Sequence, residues 1–259
     1  MIRYVDDTLL EQLQQFLTEH RSIYACRIGC CLQSYGLRYP FASFYLQINE
    51  QDNVIGAAAD YYHDLTLLLT AESDLDEWRC WAEMTGFHSL LCDTPLLPDY
   101  SIETGAVMTL THPLPAPSLP TGFTVTEQPD LKALWHLLKS CENTDFAVPS
   151  YEDFLPDISH KLRHGTAVCR VLQKNGYMMA AAMTVALTEH TALIGGVATA
   201  PDYRRQGFGA YCVRTLCTDL NGRTIYLMRD IHRHADFYQQ CGFETTASFY
   251  MINEKERTP

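Results

Sequence analysis

Four prolines alternate with small and apolar residues in THPLPAPSLPTG, Thr111 to Gly122. Proline fixes its own φ and disfavours helix at the residue before it, so this stretch is expected to run as an extended, semi-rigid connector. A domain boundary is expected there: residues 1–112 and residues 121–259 as separate bodies, joined by 113–120. The chain has 259 residues, enough for two ordinary domains with cores of their own.

After the connector, GFTVTEQ reads as a strand and DLKALWHLLKSCE as a helix with Asp130 as N-cap. SYEDFLPDISHKLRHG reads as a second helix, interrupted by its proline and stopped at Gly165. TAVCRVLQ and YMMAAAMTVALT flank Asn175-Gly176, a strong hairpin signal, and TALIGGVAT is a third strand. A helix from Gly207 to Leu220 repeats apolar residues at Phe208, Cys212, Leu216 and Leu220. The strand RTIYLM, the short helix HADFYQQC and the strand SFYMIN close the chain. The first half has a similar order: helices in DDTLLEQLQQFLTEH and SIYACRIGCCLQSYG, then strands in FASFYLQIN, VIGAAADYY and LTLLLTA. SDLDEWRCWAEMTG is next, a helix with Ser73 as N-cap and Glu77 near a capping-box position, and FHSLLCD is a strand. The fold class expected is α/β, with a mixed, mostly antiparallel central sheet flanked by helices, in two similar domains.

The segment VATAPDYRRQGFGAY, Val197 to Tyr211, puts two arginines and two glycines between a strand and a helix, in a chain whose formal net charge is −12. A nucleotide-hydrolase phosphate loop needs Lys-Ser/Thr after its second glycine, and Gly209 is followed by Ala210-Tyr211. A dinucleotide fingerprint needs a third glycine where Cys212 stands. Arg204-Arg205-Gln206-Gly207-Phe208-Gly209 instead fits the form Gln/Arg-x-x-Gly-x-Gly/Ala. Its glycines allow close backbone approach, and the unpaired N–H groups and dipole of the helix that follows favour an anion such as a pyrophosphate. The plain alternative is a solvated basic turn that caps a helix. Downstream, FYQQCGF, Phe237 to Phe243, sets Tyr238 four residues before Gly242-Phe243.

Together, GVATAPDYRRQGFGA and ADFYQQCGF resemble the GNAT superfamily of N-acetyltransferases, over about residues 121 to 252, with a degenerate GNAT-like first half that lacks the loop. The resemblance implies an acyl-CoA N-acyltransferase fold and acetyl-CoA as co-substrate, with no metal. It implies that the backbone of Val197, Ala198 and Thr199 pairs with the pantetheine arm, and that Arg204, Arg205, Gln206, Gly207, Phe208, Gly209 and Ala210 hold the pyrophosphate. Two central strands splay apart in this family, and Tyr238 matches its usual general acid toward the departing thiolate. The reaction implied is direct attack by an amine. Two departures stand out: the strand TALIGGVAT carries no carboxylate to act as base, with only Glu189 and His190 at its start, and Ile231 replaces an asparagine that often contacts the coenzyme.

The acceptor implied is a small-molecule primary amine, with Phe146 and Tyr151 as candidate pocket residues. Protein or peptide amines, or a non-catalytic acyl-CoA sensor, are the other readings. Nineteen Lys and Arg against 31 Asp and Glu disfavour nucleic acid and anionic lipid as partners. No apolar run approaches the length of a membrane span, so a cytoplasmic protein is expected, with a homodimer as a candidate assembly. The ten cysteines contain no Cys-x-x-Cys pair and read as packed thiols; Cys241 reads so too, rather than as an acetyl carrier. His160 with His164, and His232 with His234, lack the partners of a zinc site and read as solvated.

Overall fold

The computed structural model describes residues 1–119, 121–143 and 146–254. The chain divides into two units, Met1–Val107 together with the segment from Ala247, and Met108–Thr246.

Unit 1 contains β1 (Ile2–Tyr4), α1 (Leu10–Glu19), α2 (Ile23–Tyr35), β2 (Ala42–Ile48), β3 (Val54–Tyr61), β4 (Asp64–Leu69), α3 (Leu75–Thr85) and β5 (Ser89–Cys92). It also takes the first part of β6 (Ser101–Leu110) and the last part of β12 (Phe243–Asn253). Its strand order is β1-β2-β3-β4-β5-β12-β6, with β4 and β5 parallel. Ser22 caps α2 by accepting from the Ala25 amide, and Gly36 ends it at φ 63°. The core gathers Leu65, Leu67, Trp78, Leu90 and Ile252.

Unit 2 contains β7 (Thr124–Thr126), α4 (Leu131–Lys139), α5 (Tyr151–His164), β8 (Cys169–Lys174), β9 (Tyr177–Leu187), β10 (Thr191–Thr199), a 3-10 turn (Pro201–Tyr203), α6 (Phe208–Asp219), β11 (Thr224–Asp230) and α7 (Ala235–Gln239). With the ends of β6 and β12 that fall in this unit, the strand order is β7-β8-β9-β10-β11-β6-β12. Asn175 and Gly176 turn the β8–β9 hairpin with φ of 52° and 81°, the paired positive values of a type I′ turn. Alternation in β9 then sorts the core: Ala180 and Ala182 join the cluster under α6, while Ala181 and Met183 join the one under α4 and α5.

Several expectations change. The closing strand was expected to stay with residues 121–259, but its last part counts with unit 1, where Tyr250, Met251 and Ile252 pair with Cys92, Leu91 and Leu90. Ile252 is fully buried there, and pairing at such sequence distance leaves no local signal. The segment Ser101–Leu110, unassigned from sequence, is strand β6. The N-cap of α3 is Asp74, whose carboxylate accepts from the amides of Asp76 and Glu77; Ser73 instead accepts from the Thr70 amide and donates to the Ile55 carbonyl. Finally, α5 runs through Pro156 without a break. The proline removes one helical hydrogen bond, and its position is exposed, so water can take the freed carbonyl. The boundary was expected at 113–120, but the units divide before it, between Val107 and Met108; Pro113–Leu119 has no regular secondary structure, and residue 120 lies outside the described residues.

Candidate active site

The site is built where β10 leaves its neighbours. β10 and β11 pair in parallel from Thr191 opposite Thr224 to Ile194 opposite Leu227, then stop, although β10 continues to Thr199 and β11 to Asp230. On its other side β10 slips register against β9. Gly195 faces Met183 and Ala198 faces Ala181, so Gly196 and Val197 stand opposite the single residue Ala182. Such a bulge bends its strand and raises the local twist. Gly196 makes it possible, at φ 55° and with a Cβ position only 2.7 Å from Met183 Cγ. The outcome is a gap between two parallel strands, one edge of which is the backbone of Val197–Thr199.

The chain leaves Thr199 through Ala200 and the 3-10 turn. Arg204 then folds back, its Nε donating to the Thr199 carbonyl at 3.2 Å. Arg205 takes a left-handed φ of 62° and Gly207 one of 82°, and α6 begins with no side-chain cap and no acidic residue in its first turn. The first bond inside this helix runs from the Tyr211 amide to the Gly207 carbonyl at 2.9 Å, so the amides of Phe208, Gly209 and Ala210 lie ahead of the helical ladder. Gly209 is required by close packing: a Cβ there would sit 2.8 Å from Thr199 Oγ1. Arg204, Arg205 and Gln206 are exposed, whereas Phe208 packs at a tilt against Phe123, ring centroids 5.0 Å apart. An open helix N-terminus, two exposed guanidinium groups and a glycine contact thus converge where β10 ends.

Tyr238 lies on α7, packed against Phe237 at 4.9 Å and Phe243 at 6.2 Å. Burial, and to a smaller degree the neighbouring Cys241, pushes its phenol up to about 12. The helix is stopped by Gly242 at φ 96°, where any Cβ would overlap the His112 carbonyl; the Gly242 carbonyl in turn accepts from the amides of Thr111 and His112. This anchors the Cys-Gly-Phe sequence and fixes the distance from Tyr238 to the start of β12. Cys241 is itself buried, which pushes its thiol up to about 11 and keeps it a poor nucleophile.

Other sequence candidates fall elsewhere. Glu189 is exposed in the turn before β10, at the far end of that strand and about 20 Å of extended chain from Gly195. His160 and His164 pack at a tilt on α5 with ring centroids 4.2 Å apart, and His232 and His234 are exposed in the turn before α7. Tyr151 opens α5 against Trp135 at 5.6 Å, and Phe146 packs onto the core under α4 and α5. One contact had no sequence signal: Cys141, just after α4, donates its thiol to the Thr199 carbonyl at 3.3 Å and so draws the start of the α4–α5 connection to the end of β10. All ten cysteines are free thiols, and no group of three or more His, Cys, Asp or Glu that could hold a metal occurs among the described residues. No helix among them is long and apolar enough to cross a membrane.

Residues 131–243 match the Acetyltransferase (GNAT) family. This part of the chain is a GNAT domain. Solved structures share the fold across nearly the whole chain. One is a tandem GNAT protein from the clavulanic acid biosynthesis pathway, 15% identical, covering 98% of each chain with a TM-score of 0.62. A Drosophila protein, 10% identical, covers 97% of this chain and 98% of its own at 0.71. A GCN5-related N-acetyltransferase from Kribbella flavida, 16% identical, covers 91% and 97% at 0.58. No curated protein sequence matches. The GNAT family and fold support acyl transfer from an acyl-CoA.

Proposed function

We propose that the GNAT domain transfers an acetyl group from acetyl-CoA to a primary amine of a small molecule by direct attack. The observation that carries this reading is the uncapped N-terminus of α6 beside the gap between β10 and β11. The amides of Phe208, Gly209 and Ala210 fit a pyrophosphate, and Arg204 and Arg205 add charge-assisted contacts while Gln206 and Gly207 complete the turn. The bulged backbone at Val197, Ala198 and Thr199 suits the amide-bearing pantetheine arm, which would add to it as an extended strand does. The thioester then lies in the gap, where an amine nitrogen can attack the carbonyl carbon. The C–S bond breaks, and the electron pair leaves on sulfur.

Tyr238 serves that sulfur. Against an ordinary thiol pKa of 8.5, full proton transfer from a phenol near 12 runs uphill by on the order of 5 kcal/mol. Tyr238 is therefore read as a hydrogen-bond donor to the thiolate, becoming its acid only as the dry gap raises the basicity of sulfur. No carboxylate stands on β10 to deprotonate the amine, so the acceptor reaches the site as free base or loses its proton through water. A net charge of −12 favours a cationic acceptor during encounter. Phe146, on the connection that Cys141 ties to Thr199, and Tyr151, at the start of α5, are the residues proposed to shape its pocket. A homodimer remains the proposed assembly and the cytoplasm the proposed location.

The missing carboxylate also favours a second reading, a non-catalytic acyl-CoA sensor, and a protein or peptide amine is the variant within the same chemistry. Calorimetry with coenzyme A, followed by thiol release from acetyl-CoA across a panel of small amines and amine-bearing peptides, separates them. Turnover supports the transferase, binding without turnover supports the sensor, and absence of binding overturns both.

A further inference from the structure

Arg229 is the last residue but one of β11, standing two positions past the last pair with β10. Its Nη1 donates to three carbonyls of the turn that follows, Asp230 at 2.7 Å, Ile231 at 2.9 Å and Arg233 at 3.2 Å. Its Nη2 reaches Thr245 Oγ1 on β12 at 3.3 Å, and its Nε reaches Met108 Sδ on β6 at 3.2 Å. The turn it holds is solvent-exposed from Ile231 to His234. Within the turn, the His232 amide donates to Asp230 Oδ1 at 2.8 Å and the Arg233 amide to the Asp230 carbonyl at 3.3 Å. Those two bonds close the turn on itself, whereas Arg229 fastens it to β6 and to β12.

The turn matters because of what it carries. His234 takes a left-handed φ of 61° as the N-cap residue of α7, and its carbonyl accepts from the Tyr238 amide at 3.3 Å. The helix is only five residues long, too short to hold its own direction by internal hydrogen bonding. The direction of Tyr238 is therefore inherited from the turn. We propose that Arg229 is a positioning residue for Tyr238, clamping the Asp230–Arg233 turn so that α7 presents the phenol to the gap. This rests on the reading of Tyr238 as the partner of the thiolate. A lysine cannot replace it: converging carbonyls together with acceptors on β6 and β12 call for a planar fork of donors, and an ammonium offers one point of charge.

The test uses the full chain labelled with 3-fluorotyrosine, in which the Tyr238 fluorine resonance is identified by its loss in Tyr238→Phe. In Arg229→Lys, which keeps the charge and the stem, the Tyr238 resonance is expected to move by roughly 0.5 ppm or to broaden, while the other tyrosines hold their positions. Thiol release from acetyl-CoA, with whichever panel amine is turned over, is expected to lose roughly tenfold in kcat with KM for acetyl-CoA changed less than about twofold. Arg229→Lys added to Tyr238→Phe is expected to cost less than about twofold beyond Tyr238→Phe alone, because the two act as a unit. An unmoved resonance in the folded variant overturns the proposal, as do additive losses in the double variant. If Tyr238→Phe lowers kcat but Arg229→Lys does not, the clamp fails and the reading of Tyr238 stands; if Tyr238→Phe costs nothing, both fall together.

Discussion

Both units place a helix between two parallel strands, α3 between β4 and β5 and α6 between β10 and β11, yet the two helices begin in opposite ways. At α3, Asp74 accepts from the amides of Asp76 and Glu77 at 3.0 Å each, and Asp76 and Glu77 make the first turn acidic. Glu77 is further held by Gln47 Nε2 at 2.8 Å and the Ile2 amide at 2.7 Å; desolvation works against its charge, but these bonds keep its carboxyl below the usual range. At α6 no side chain caps the helix, and arginines precede it. The packing is exchanged as well. In unit 1 the strand supplies the glycine, Gly56, whose Cβ position is 3.0 Å from Trp78 Nε1 on the helix; in unit 2 the helix supplies Gly209, pressed against Thr199 on the strand. A capped, acidic helix start is a finished structural element, whereas an uncapped one flanked by arginines is stable for an anion to complete. The difference teaches that two helices in the same place between parallel strands can begin in opposite ways while the architecture around them is kept.

Moving the feature of one helix onto the other is the strongest way to break this comparison. Gly207→Asp puts a carboxylate at the start of α6, against the anion site, in a left-handed conformation that aspartate tolerates with modest strain. Affinity for coenzyme A, read by calorimetry, is expected to fall roughly 100-fold, or about 3 kcal/mol. Unchanged affinity would show that the α6 terminus does not hold the pyrophosphate.

Next in size is Tyr238→Phe, expected to lower kcat for thiol release roughly 30-fold with little change in KM for acetyl-CoA. Because the phenol near 12 keeps its proton, the wild-type rate is expected to show no falling limb from it up to about pH 11. The rate should instead rise with pH as the acceptor amine, of pKa near ~10.4 when lysine-like, loses its proton. A falling limb near pH 10 that disappears in Tyr238→Phe would show the phenol at its ordinary value and remove the argument from burial.

The counterpart in unit 1 is smaller. Asp74→Ala removes the cap of α3 and is expected to cost about 1 kcal/mol of stability, measured by denaturant unfolding. Coenzyme affinity should not change. A loss of affinity would mean that the first unit contributes to binding and that the two helices do not differ in this way.

The contrast was visible in the sequence on one side only. Two glycines and two arginines before an apolar repeat mark the α6 terminus, because close backbone approach and a local positive charge are both written in residue types. The α3 terminus is less distinct: Ser73 and Asp74 are both good caps, and the choice between them falls to contacts with the Ile55 carbonyl and with Gln47, made across the sheet. Helices and hairpins written in local periodicity and in Asn175-Gly176 were legible. The division of β6 and β12 between units was not, since it depends on pairings such as Ile252 with Leu90, far apart in the chain. Nor was Arg229, because three of its partners are carbonyl oxygens and the other two, on Thr245 and Met108, come from strands far from one another in the chain.

The smallest expected effect compares two phenols. Tyr24, on α2 of unit 1, is 6% exposed, and its hydroxyl finds no hydrogen-bond partner among the described residues. Burial pushes its pKa well above the usual tyrosine range, with Asp93 and Cys92 adding to the rise. A buried hydroxyl that makes no bond has lost its water without compensation, so Tyr24→Phe deletes a penalty and leaves the ring packing in place. Stability is expected to stay level or increase by a few tenths to about 1 kcal/mol, and kcat to remain unchanged. Tyr238→Phe should show the reverse, with activity lost and stability nearly kept, because a phenol that works on a substrate is tuned for what the empty protein lacks. If Tyr24→Phe destabilises by more than about 1 kcal/mol, its hydroxyl has a partner after all, such as a buried water shared with Asp93, and unit 1 would have to be read as keeping a polar site of its own.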